Sequence, residues 1–248
     1  MRALLASWQV RLGVALVALS AVVYYIHFLL FRDAHHIFLY LVGDIAFVFL
    51  EVLMVTLIIH ELLNRREKLL RLQKLNMVID AFFTEAGTGL LRFCAGWDAR
   101  LSAMRDKLKL TTLWSEADFD RVDAAMRAYT YRVDPASVNL RELGEFLACK
   151  RDFFLRLTEN PNLLEHERFT SLLMAVSHLT EELMARNGAP ELPESDVRHL
   201  AGDIDRVYGQ LAREWLAYVR HLKRDYPYLF SLAVRTNPFD ASASPIVT

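Results

Sequence analysis

Hydrophobic positions change their period twice along this chain. Residues 12–31, LGVALVALSAVVYYIHFLLF, carry no Asp, Glu, Lys or Arg. In helical form they reach about 30 Å, the thickness of a bilayer's hydrocarbon core. Residues 37–59, IFLYLVGDIAFVFLEVLMVTLII, form a second such run that includes Asp44 and Glu51. The intervening RDAHH, residues 32–36, is so short that the two spans are expected to lie antiparallel as a transmembrane hairpin over residues 1–60. A cleaved signal peptide fits less well, because the first run continues through Tyr24 to Phe31 without a short apolar region and a small-residue cleavage site.

Beyond the second run the pattern becomes amphipathic. Leu62, Leu69, Leu72, Leu75, Ile79, Phe82 and Ala86 recur at helical spacing, which predicts that the second span continues as a helix through residues 61–91. Gly87 and Gly89 are expected to interrupt it, as a hinge or a close helix crossing. Residues 92–238 then read as an all-α bundle of helices with short connections. Ser115 caps one helix, with Asp118 as its capping-box partner and a stripe running from Phe119 to Tyr129 and Val133. Asn139, or Ser137 just before it, opens another. Asn160, Pro161 and Asn162 turn into a third, closed by Asn187 and Gly188. Ser195 is expected to begin the longest soluble helix. The aromatic stretch holding Tyr226, Tyr228, Phe230 and Phe239 should bury, and residues 239–248 should fray.

Charge adds orientation. The chain holds 29 basic and 30 acidic residues, so it lacks the positive excess of a general nucleic-acid binder. The local distribution is uneven. Arg65, Arg66, Lys68, Arg71 and Lys74 crowd the membrane-proximal turns, and Arg2 and Arg11 precede the first span. Positive flanks stay cytoplasmic, so both ends are expected in the cytoplasm of a bacterial-type inner membrane, with the turn outside. The basic turns also suit anionic headgroups. Trp8 and Tyr40 fit the interfacial aromatic belts. Cys94 and Cys149 have neither CxxC spacing nor a histidine pair and read as buried thiols in a reducing compartment.

The candidate chemistry lies in the second span. Asp44 and Glu51, seven residues apart, share one helix face, and carboxylates at that depth need neutralisation, pairing or water. Folding the hairpin about its turn brings Asp44 level with Tyr24 and Tyr25, with His27 within about a turn of it, and Glu51 roughly level with Ser20. These polar groups read as interhelical glue or as the lining of an oligomeric cation path. Asp33, His35 and His36 read as a solvated turn rather than a metal site. His178 with Glu182 and His199 with Asp203 are spaced to share a metal on a helix face, but both pairs fall off the apolar stripes and are expected to face solvent. No nucleophile elbow, zinc-protease, Rossmann, P-loop or kinase pattern is present. The expectation is therefore a non-enzymatic membrane protein, without metal or cofactor. Its partners would be the lipid bilayer, further copies of itself as a homo-oligomer and a cytoplasmic protein met by an interaction or signal-relay bundle. An oligomeric cation channel or transporter is the alternative.

Overall fold

The computed structural model describes residues 8–161, 163, 166–186 and 192–247, with the side chains of residues 9, 34, 36 and 69–72 outside that description. Asn162, Asn187 and Gly188 of the sequence reading lie outside the described residues. The described residues fold almost entirely into helices and contain no strand. The chain divides into two units, Met1–Lys68 and Leu69–Thr248.

In the first unit α1 (Trp8–Phe31) is followed by the long α2 (Ala34–Phe82). The turn is shorter than the five residues expected. Arg32 takes a left-handed backbone, with φ of 49°, and Asp33 Oδ1 accepts from the His35 amide at 2.9 Å. Asp33 thereby caps the start of α2.

The second unit is built around α8 (Glu194–Asp225). Leu200, Ile204, Val207, Leu211, Trp215, Val219 and Leu222 are buried along it at spacings of three and four, as a core-facing helix requires. Around it pack α3 (Thr88–Trp97), α5 (Glu116–Ala128), α7 (Glu167–Ala185) and α9 (Pro227–Arg235), while α6 (Leu140–Thr158) lies against α7. The short α4 (Ser102–Leu108) buries Met104 and Leu108. The far end of α2 belongs to this unit, with Leu75, Ile79 and Phe82 in the core.

Several local expectations need correction. Gly87 and Gly89 do not break the helix. The chain passes from α2 through a π-helical turn, Phe83–Gly87, directly into α3. Both glycines instead allow aromatic rings to approach the backbone: a Cβ on Gly87 would stand 2.6 Å from Phe82 Cε1, and one on Gly89 would stand 3.1 Å from Phe146 Cζ. The helix opened at Ser115 stops at Ala128, Tyr129 takes an extended backbone, and the chain through Val133 is not helical. That segment is strapped in place because Tyr129 Oη donates to Asp98 Oδ2 at 2.7 Å and the Val133 amide to Asp205 Oδ1 at 2.7 Å. Pro193 holds the N-cap position of α8 without a side-chain cap hydrogen bond, so Ser195 sits inside its first turn. Cys94 is buried but Cys149 is exposed. Phe230 and Phe239 bury, yet Tyr228 is exposed. Residue 239 is no frayed end, since the Phe239 ring meets Trp215 edge-on at 5.1 Å.

The Ser115 cap has the expected form. Its Oγ accepts from the Asp118 amide at 3.3 Å, and its own amide donates to Asp118 Oδ2 at 2.7 Å. Ser115→Ala is expected to lower the bundle's unfolding free energy by about 1 kcal/mol, read as a lower urea midpoint at unchanged m-value.

Candidate functional site

Two clusters of polar side chains stand out, one in each unit. In the first unit, the tight turn at Arg32 and Asp33 returns the chain so that α2 meets the end of α1. Tyr24 Oη donates to Asp44 Oδ2 across the pair at 3.4 Å, a long bond. His27 packs its ring on Phe31 at 4.7 Å. A cavity of about 280 Å³ is lined by Val23, Tyr24, His27, Ile37, Tyr40 and Asp44. One carboxyl, one imidazole and two phenols thus converge between apolar walls, a donor and acceptor set able to hold a proton or a small cation.

The remaining residues proposed from the sequence are not gathered there. Glu51, two turns further along α2, lies outside the cavity and is exposed. Tyr25 and Ser20 are also exposed and outside it. A helical face aligns Asp44 with Glu51, but the two-residue turn fixes which α1 residues stand opposite, and it selects Tyr24 and His27. Among the basic residues, Arg65 pairs with Glu61 at 2.6 Å. Arg66, Lys68 and Lys74 are exposed, and the Arg71 side chain lies outside the description.

In the second unit the histidine pairs do not simply face solvent. The i,i+4 pair on α7 meets the i,i+4 pair on α8. His178 Nε2 stands 3.7 Å from Asp203 Oδ2, and His199 Nε2 stands 3.7 Å from Glu182 Oε2. Both rings are about half exposed, but the Asp203 side chain is only 5% exposed. Arg186 holds this face together by a fork to Asp196 at 2.6 and 2.9 Å and a bond to Glu182 at 2.5 Å. The Arg186 hydrogen bonds hold both carboxyls below their ordinary values.

The sign of the resulting pH dependence follows from those depressed values. The unfolded chain takes up protons on Glu182 and Asp196 before the folded one does, so the contribution is complete above the ordinary values of 4.5 and 3.8 and is lost as pH falls below them. Urea midpoints at about pH 6 and about pH 3.5 should therefore differ less in Arg186→Ala than in the wild type.

Relatives carry the same two-part division. Residues 3–63 match the family described as "MJ1433, N-terminal helical domain", and residues 71–235 match "Uncharacterized protein MJ1433, C-terminal helical domain". The chain is 44% identical over 233 residues to the uncharacterized protein MJ1433 of Methanocaldococcus jannaschii, covering 94% of each. The chain belongs to the MJ1433 family. No solved structure matches it. The gap between the two family regions, residues 64–70, contains the boundary between the two units of this MJ1433-family chain.

Proposed function

We propose that this MJ1433-family protein is a two-span integral membrane protein whose helical bundle serves as a cytoplasmic interaction or signal-relay module. The observation that carries this reading is the surface of α1 and of α2 up to Leu63. Val10–Phe31 and a window of the second helix are long and apolar enough to cross a membrane, and neither apolar window is buried by the protein itself. Leu16, Val17, Leu30, Phe38, Phe49 and Leu53 are all exposed. Such a continuous apolar surface calls for a cover, and a bilayer supplies it. The exposed Arg66, Lys68 and Lys74 favour a cytoplasmic bundle. One helix, α2, supplies both the second apolar run and the buried Leu75, Ile79 and Phe82 of the bundle. In this reading a change at the span or in its assembly state is passed along that helix.

The test is two-sided thiol labelling in intact and permeabilised cells with a membrane-impermeant maleimide. Burial pushes the Cys94 thiol far up, so it stays silent, while Cys149 is exposed. A cysteine placed at the exposed His35 (His35→Cys) should react from outside, and Cys149 only after permeabilisation. Equal reactivity of both sites in intact cells would sink the two-span topology.

The exposed Glu51 favours a second reading, an oligomeric cation path lined by Asp44 and Glu51. Cation flux through proteoliposomes that disappears in Asp44→Asn or Glu51→Gln would replace the relay reading with this one. The relay reading expects the wild type to pass none.

A further inference from the structure

We propose that the α7–α8 face carries a binding site for a divalent transition metal of the zinc class, held by His178 and Glu182 from α7 and by His199 and Asp203 from α8. Each helix contributes a histidine and a carboxylate one turn apart, and the packing of the two helices sets the pairs against each other. The four groups form a closed ring. His178 Nε2 lies 3.9 Å from Glu182 Oε1 and 3.7 Å from Asp203 Oδ2, and His199 Nε2 lies 3.7 Å from Glu182 Oε2 and 3.5 Å from Asp203 Oδ2.

Ligand atoms about 2.0 to 2.1 Å from a tetrahedral zinc stand about 3.3 to 3.5 Å from one another. Among the described residues no three such side chains already stand in coordination geometry. The ring edges, 3.5 to 3.9 Å, run from the tetrahedral separation to about half an ångström beyond it, and the two Glu182 edges end on different oxygens, so torsions of the half-exposed histidines and of Glu182 bring the donors together on binding. Two imidazole nitrogens and two carboxylate oxygens are a donor set that zinc and its neighbours accept.

A second observation points into the ring. Asp203 is 4% exposed, and its Oδ2 is buried without a hydrogen-bond partner. A carboxylate oxygen left in that condition is costly in a folded protein. Its other oxygen is held by Arg206 Nη1 at 2.8 Å, which turns the unpartnered one toward both histidines. Glu182 is likewise fixed by Arg186, and Arg186 by Asp196. These outer contacts orient the carboxylates as the surroundings of metal sites do. Three carboxylates against two guanidinium groups leave this face one negative charge when both imidazoles are neutral, the histidine form a metal needs. The half-exposed rings leave a way in from solvent.

Bound there, a metal would staple α7 to α8. The experiment uses the full chain in detergent, stripped with a chelator and titrated with zinc ion alone against a chromophoric competitor, with a thermal melt at each end point. The expected result is one zinc per chain and a raised melting temperature. His178→Ala and His199→Ala should each weaken binding by roughly tenfold or more, while His221→Ala, outside the ring, leaves it unchanged. Asp203→Asn should weaken it similarly, and should that variant fail to fold, the two half-exposed histidine variants give the answer. Absence of binding at micromolar zinc, or equal affinity in the His178→Ala/His199→Ala double variant, overturns the proposal. Neither outcome depends on the membrane reading.

Discussion

Replacing Phe82 by alanine is expected to lower the stability of the bundle by about 3–5 kcal/mol. The Phe82 ring is fully buried. It meets Phe83 edge-on at 5.2 Å and Phe169 edge-on at 5.2 Å, and leans on Phe154 at 6.2 Å. Truncation removes the transfer term, leaves a cavity where α2 meets α6 and α7, and forfeits these aromatic contacts. Against a total of about 5–15 kcal/mol for an ordinary domain this is a large fraction. The melting temperature of the bundle should fall by roughly 6 to 20 °C. A fall of one or two degrees would mean that the end of α2 is not part of the core.

Gly87→Ala should also destabilise, against the usual sign. Within a helix that substitution ordinarily gains up to about 1 kcal/mol. Here the backbone of Gly87 is already helical, with φ of −61°, so no left-handed conformation is at stake. The obstacle is space, because the new Cβ would lie 2.6 Å from Phe82 Cε1 and 2.8 Å from Phe83 Cδ1. Both rings are clamped in the core and cannot swing away, so a loss of about 1–3 kcal/mol is expected. A double-mutant cycle separates this cause from others. In the Phe82→Ala background one of the two obstructing rings is gone, and the penalty at Gly87 should shrink. An undiminished penalty would place the strain elsewhere.

The elements that were legible in the sequence are those written in one helix at a time. The stripe from Leu200 to Leu222 and the Ser115 capping box need no knowledge of any neighbour. Apart from the levelling of Tyr24 and His27 with Asp44 across the hairpin, what crosses between helices was not legible. His178 and His199 fall off their own helices' apolar stripes, and nothing local says that α7 and α8 set them face to face over a buried Asp203. The same limit explains Gly87. Two glycines in a helix read as an interruption until Phe82, Phe83 and Phe146 are seen to occupy the space their side chains would need. At the hairpin, the spacing of Asp44 and Glu51 put them on one face, whereas their partners depended on the length of the turn. A two-residue turn capped by Asp33 brought Tyr24 and His27 to Asp44 and left Ser20, Tyr25 and Glu51 outside the cavity. The non-helical strap from Tyr129 to Val133 was missed because its helix-like spacing of apolar residues continues past the last helical hydrogen bond.

The central claim is that α1 and the part of α2 up to Leu63 lie in a bilayer, and alkaline carbonate extraction of membranes from cells producing the full chain tests it most directly. A chain with two spans stays in the membrane pellet after the wash, as insertion of two such apolar helices requires. Release of the folded chain into the supernatant would contradict the claim, and the exposed apolar surface of α1 and α2 would then have to be covered by protein.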